Sequence, residues 1–167
     1  MNVSFLNDVK VWDGLAGPWN ELLTRSAVDV PFLRHEFLRT WWSTLGGGEW
    51  PDGELSIAVA TGEGGALSAA APLFRTSTHP RTLLFIGTAE IADYLDVVAP
   101  APAFDAFARA LLEAVPREGP GAIDTLDLWN VLETSPAGQA RPDAVEPDPA
   151  PREPSRQGES RGFAVGL

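Results

Sequence analysis

The sequence predicts a mixed α/β domain with a mainly antiparallel sheet and helices packed on it. Three observations predict this class. Apolar residues recur at helical spacing early in the chain, a run of short strands joined by tight turns follows, and one further helix leads into a last strand.

Val3 to Leu6 reads as a short opening strand. Gly17-Pro18 sets a helix entry, since proline near the first helical position forfeits an N–H that has no partner there. Trp19, Leu22 and Leu23 then fall on one helical face. Val30-Pro31-Phe32 is an extended break, because the residue before proline avoids helical geometry. In the second helix Phe37, Leu38, Trp41, Trp42 and Leu45 form one apolar stripe, and Gly46-Gly47-Gly48 ends it. Leu55 to Thr61 and Ala66 to Arg75 read as a hairpin around Gly62-Glu63-Gly64-Gly65. Pro72, which has no N–H for a ladder, predicts an edge or a bulge in the second strand. Thr82 to Ile86 and Tyr94 to Ala99 are the next two predicted strands. Ala103 to Val115 is an amphipathic helix burying Phe104, Phe107 and Leu111, and Thr125 to Val131 alternates as a half-buried strand.

After Glu133 the character changes. Residues 134–161 contain six prolines, no aromatic residue and only Val145 as an aliphatic larger than alanine. Such a segment cannot bury enough surface to offset its ordering entropy. The domain is therefore expected over residues 1–133, with 134–167 a Pro-rich disordered tail or truncated linker, although Gly162 to Leu167 has a strand-like pattern.

Composition narrows the function classes. The net charge is −11, and residues 1–133 alone carry 8 basic against 18 acidic residues, so the acidity belongs to the folded part. That field disfavours nucleic acid as a partner. The absence of cysteine, with only His35 and His79 as histidines, argues against a metal site. No apolar run reaches the ~20 residues of a membrane span, and the first residues lack a basic start and apolar stretch. The expectation is a cytoplasmic protein without membrane insertion.

Several phrases carry a family resemblance. Pro31-Phe32-Leu33 followed by Phe37-Leu38-Arg39-Thr40-Trp41-Trp42 resembles the helix opening the CelD-like family of GNAT-superfamily acyltransferases. Ala70-Ala71-Pro72-Leu73-Phe74 resembles its second hairpin strand. Leu84-Phe85-Ile86-Gly87 and Asp93-Tyr94-Leu95-Asp96-Val97 resemble its next two strands, and Asp127-Leu128-Trp129-Asn130-Val131 the strand closing the family's first half. The resemblance covers residues 10–135 and implies the amino-terminal half of a GNAT-like fold. Relatives resemble two such halves in tandem, the second being the better candidate for acyl-CoA or acetyl-CoA. The implied reaction is acyl transfer to an amine or hydroxyl, on a saccharide for example. The implied partner is the missing carboxy-terminal half or a second protomer, and the chain alone would be inactive. The alternative is a non-catalytic binding or dimerisation module, or a truncated remnant.

The usual acyl-CoA turn presents glycine N–H groups to pyrophosphate at a helix start. The matching turn here carries Pro100 and Pro102, which delete two donors, and Asp105 follows in the expected first helical turn. No cofactor is therefore expected on this chain alone. Asp93, Tyr94 and Asp96 are the catalytic candidates, an aspartate taking a proton and Tyr94 supplying one to a leaving thiolate; the alternative is a turn cap and a packed ring. Trp41 and Trp42 are candidates for stacking on sugar, or else core. Arg75, with Arg81, flanks a hairpin tip and is a candidate for holding an anionic substrate, or else solvated. His35 reads as a lone surface histidine.

Overall fold

The computed structural model describes residues 1–87, 92–118, 123–139 and 160–166. Strand β1 (Val3–Leu6) leads into α1 (Val9–Asp13), whose start is capped by the Asp8 carboxylate accepting the Lys10 N–H at 2.8 Å. Helix α2 (Ala16–Leu23) buries Trp19, Leu22 and Leu23, as their spacing predicts. A single 3₁₀ turn at Pro31–Leu33 precedes α3 (His35–Thr44). This helix ends one residue earlier than the glycines suggest, because Leu45 already has a left-handed backbone (φ 49°). Gly46 is still required. A Cβ there would stand 2.9 Å from both the Trp41 and Trp50 rings.

The centre of the molecule is a hairpin. Its first arm comprises β2 (Glu54–Leu55) and β3 (Ile57–Thr61), and its second β4 (Leu67–Ala71) and β5 (Leu73–Arg75). One register runs from Glu54↔Arg75 and Leu55↔Phe74 to Ala58↔Ala71 and Ala60↔Ala69. Ser56 and Pro72 interrupt the named strands without shifting it, and the Ser56 N–H still donates to the Leu73 carbonyl at 2.9 Å. Pro72 therefore belongs to no strand: it separates β4, at the edge of a sheet formed with β1 and β3, from β5, which lies inside a second sheet, and there is no bulge at this point. Pro72 is tolerated because its imide nitrogen faces away from β3, where residues 57 and 72 form a pair without ladder bonds.

On the other side, β6 (Thr82–Phe85) pairs with β5, and the Ile86 N–H donates to the Pro72 carbonyl at 2.8 Å. Pro72 has no N–H to return to Ile86. The chain leaves the ladder at the next residue, Gly87 (φ 112°), where a Cβ would meet Leu95 at 2.9 Å. It returns beside the same hairpin arm at Val98, which exchanges two hydrogen bonds with Ala70 at 2.8 and 2.9 Å. The predicted strand Tyr94–Ala99 is thus an extended segment with one bridge, lying in line with β6. The missing donor at Pro72 breaks what would otherwise be one strand.

Helix α4 (Ala101–Glu118) crosses over to β7 (Thr125–Leu132), which runs parallel to β6 from Thr82↔Thr125 to Leu84↔Asp127. Both faces of the central arm are covered. Ala69, Ala70 and Ala71 point alternately to opposite faces, yet all are fully buried, and α2 and α4 both pack on β4. Alanines at 58, 60 and 69–71 let the covering layers approach closely. The strands form two sheets, one of β1, β3 and β4 and one that includes β2, β5, β6 and β7; pairing is antiparallel except between β6 and β7.

Part of the expected tail has regular structure. Pro136–Gln139 forms α5, and Ser160–Gly166 forms β8, antiparallel to β7. The remainder of the disordered reading, residues 140–159 and 167, lies outside the described residues.

Phe74 is the centre of an aromatic cluster within the core. Trp41, Trp50 and Trp42 surround it at centroid distances of 5.3, 5.6 and 6.1 Å. Phe74→Ala is expected to cost about 3–5 kcal/mol in urea unfolding, with a change in tryptophan fluorescence of the folded state. A cost below 1 kcal/mol would contradict this packing.

Candidate functional site

The polar segment following the Gly87 excursion packs against an irregular part of β7. The β7–β8 register shifts between Leu128 and Val131, where Asn130 has a left-handed backbone (φ 55°). Asparagine tolerates that conformation better than most residues. From this bulge Asn130 holds the segment twice: its Nδ2 donates to the Ala92 carbonyl at 2.7 Å, and its carbonyl accepts the Leu95 N–H at 3.0 Å.

Within the segment Asp93 is exposed, Tyr94 is half-buried and Asp96 is 1% exposed. The two carboxylates therefore do not share one surface. The Asp96 Oδ1 accepts the Val97 N–H at 2.7 Å, while Oδ2 has no hydrogen-bond partner. Burial pushes the Asp96 carboxyl up to about 6 from 3.8, against the opposing pull of the Ser135 hydroxyl and the Val97 N–H. Ser135 is itself buried, in the turn between β7 and α5, and its Oγ also accepts the Gly138 N–H at 3.1 Å. Chemically this is a proton-holding group near neutral pH, enclosed in the fold. Asp93 is the carboxylate open to solvent.

The other predicted residues lie elsewhere. Trp41 and Trp42 are 4% and 9% exposed and pack on Phe74, in agreement with the core reading. Arg75 forms an ion pair with Glu54, at 2.5 Å from Nη2 and 2.8 Å from Nε, and Arg81 pairs with Asp124 at 2.6 Å. Carboxylates of the same chain thus already engage both arginines. The hairpin tip is tied down instead through Ser77, whose N–H and hydroxyl both donate to the Asp52 carboxylate and hold it below its ordinary range.

Pro100 precedes α4 and Pro102 is its second residue. The Ala103 N–H is spent on the Pro100 carbonyl at 2.8 Å. Because the helix starts at Ala101 rather than Ala103, Asp105 falls beyond the first turn, a correction to the expected placement. His35 is also corrected. It is 4% exposed, with its ring edge-on to Trp12 and Trp19 at 5.2 and 6.3 Å and Nε2 3.1 Å from the Trp12 carbonyl. Its place just inside α3, beside the apolar faces of α1 and α2, accounts for the burial. No group of residues suited to a metal ion occurs among the described residues.

Sequence reasoning missed the parts played by Asn130 and Ser135. An asparagine inside an otherwise β-forming run was the available signal for the bulge; Ser135 carried none. Comparison with family models, curated proteins and solved structures finds no match to this chain.

Asn130→Ala removes the bond to Ala92 and burdens the left-handed position with a Cβ that prefers other geometry. It is expected to destabilise the fold by about 1–3 kcal/mol. Asn130→Gly, which keeps the backbone freedom, should cost less. Thermal unfolding of both variants checks this; equal losses would show that the backbone conformation contributes nothing.

Proposed function

We propose that the chain serves as the amino-terminal half of a GNAT-type, CelD-like acyltransferase. In this reading it shapes the acceptor side of a site whose acyl-CoA is held by a second GNAT-like half or a second protomer. The reaction is transfer of an acyl group from acyl-CoA to an amine or hydroxyl, with a saccharide as one acceptor class. The observation that carries the reading is the order and pairing of elements. Helices precede an antiparallel run, and a crossover through α4 then delivers β7 parallel to β6. The proline-bearing start of α4, with its depleted N–H donors, supports assigning the CoA to the other half.

One observation favours the second reading, a non-catalytic binding or dimerisation module. A half built to be covered should expose a broad apolar face. Among the described residues the large exposed apolar side chains are Met1, Val11 and Trp129, with Met1 beside the β1 edge strand and Trp129 on β7 of the other sheet.

The coding DNA downstream of residue 167 and the neighbouring genes distinguish the two readings. The acyltransferase reading expects a GNAT-like half there. Co-expression with that half should restore thiol release from acetyl-CoA, with none above background for the chain alone. Absence of such a half would leave the module. A micromolar acetyl-CoA affinity for the chain by itself would overturn the assignment of CoA to the partner.

A further inference from the structure

We infer that Asp96 is a proton-operated latch: as a neutral acid it seats residues 92–98 against β7 and the turn before α5, and its ionisation releases that segment. The inference is independent of the acyltransferase reading.

The geometry defines what the latch holds. The segment is fastened at one end by Asn130 to Ala92 and Leu95, and at the other by the Val98–Ala70 bridge. Asp96 lies between these anchors, flanked by Leu95, Val97 and Val98, which are all buried. Oδ1 accepts the Val97 N–H and Oδ2 makes no hydrogen bond, with the Ser135 hydroxyl acting on the carboxyl from nearby. An ionised carboxylate enclosed among apolar side chains is costly, and the Ser135 hydroxyl and the Val97 N–H offset only part of that cost.

Among the described residues no cation acts on Asp96. The titratable groups on its own segment are Asp93 and Tyr94; those on and just after β7 are Asp127 and Glu133; β4 and α5 have none. Among the described residues the influences on Asp96 are burial, Ser135 and Val97, with no cation.

The sign follows from linkage. The folded carboxyl titrates near 6 and the released one near 3.8. Stabilisation of the seated segment is therefore complete below the lower value and lost as pH rises through the upper one. The opening constant should rise about 50-fold between pH 4 and pH 8.

Amide hydrogen exchange at Leu95 and Val98, corrected for intrinsic rates, reads this opening in the full chain. The latch predicts that rise at both amides and none of that size at β3 amides. In Asp96→Asn the pH dependence should vanish, with exchange at pH 8 as slow as that of the unsubstituted chain at pH 4. Parallel profiles for the two proteins, or an equal rise throughout β3, would overturn it. If Asp96→Asn does not fold, the carboxyl-carbon NMR titration of Asp96 in the unsubstituted protein decides: a midpoint near 6 is expected, and one near 4 overturns the inference.

Discussion

The ladder between the central hairpin and β6 ends at a single missing donor, the absent N–H of Pro72. Toward β3 the absence is harmless, because residue 72 falls at a position that makes no ladder bond there. Toward β6 it leaves Ile86 giving a hydrogen bond and receiving none in return. The strand cannot continue on equal terms and departs at Gly87. Its return at Val98 restores the ladder two residues further along the hairpin arm, opposite Ala70. What would have been one strand becomes a strand, an excursion and a bridge.

That excursion brings polar side chains of the candidate site against β7. Ala92 and Leu95 use the side-chain amide and the backbone carbonyl of Asn130 at the bulge, so one irregularity satisfies the other. The same arrangement encloses Asp96. The molecule accepts comparable polar burial elsewhere: the indole N–H groups of Trp12, Trp41 and Trp50 are buried without a hydrogen-bond partner. Each such group costs about 1–3 kcal/mol. The aromatic packing around Phe74 and around the Trp12–Trp19–His35 cluster offsets it.

Much of the fold was legible in the sequence because it rests on local patterns. The stripes on α2 and α3, the glycine-turned hairpin and the apolar face of α4 all depend on spacing within a dozen residues. What was not legible depends on neighbours distant in sequence. His35 reads as a surface residue until Trp12 and Trp19 close over it. Pro72 reads as an edge until Ile57 and Ile86 flank it. The site was half legible. Asp93, Tyr94 and Asp96 stand out as a cluster, but alternation along a presumed strand places Tyr94 with Asp96 and says nothing of Ser135. Arg75 looks like a free cation until Glu54, on the paired arm, is set opposite it.

The hairpin keeps one register through Pro72, and the chain rejoins it at Val98. Cross-strand nuclear Overhauser contacts test it most directly. Close Hα–Hα contacts are expected for Leu55 with Phe74 and for Val59 with Ala70, one on each side of Pro72, together with mutual N–H protection of Ala70 and Val98. A one-residue offset between the two sides of Pro72, or a Val98 amide exchanging as freely as the exposed turn at Glu63–Gly65, would contradict it.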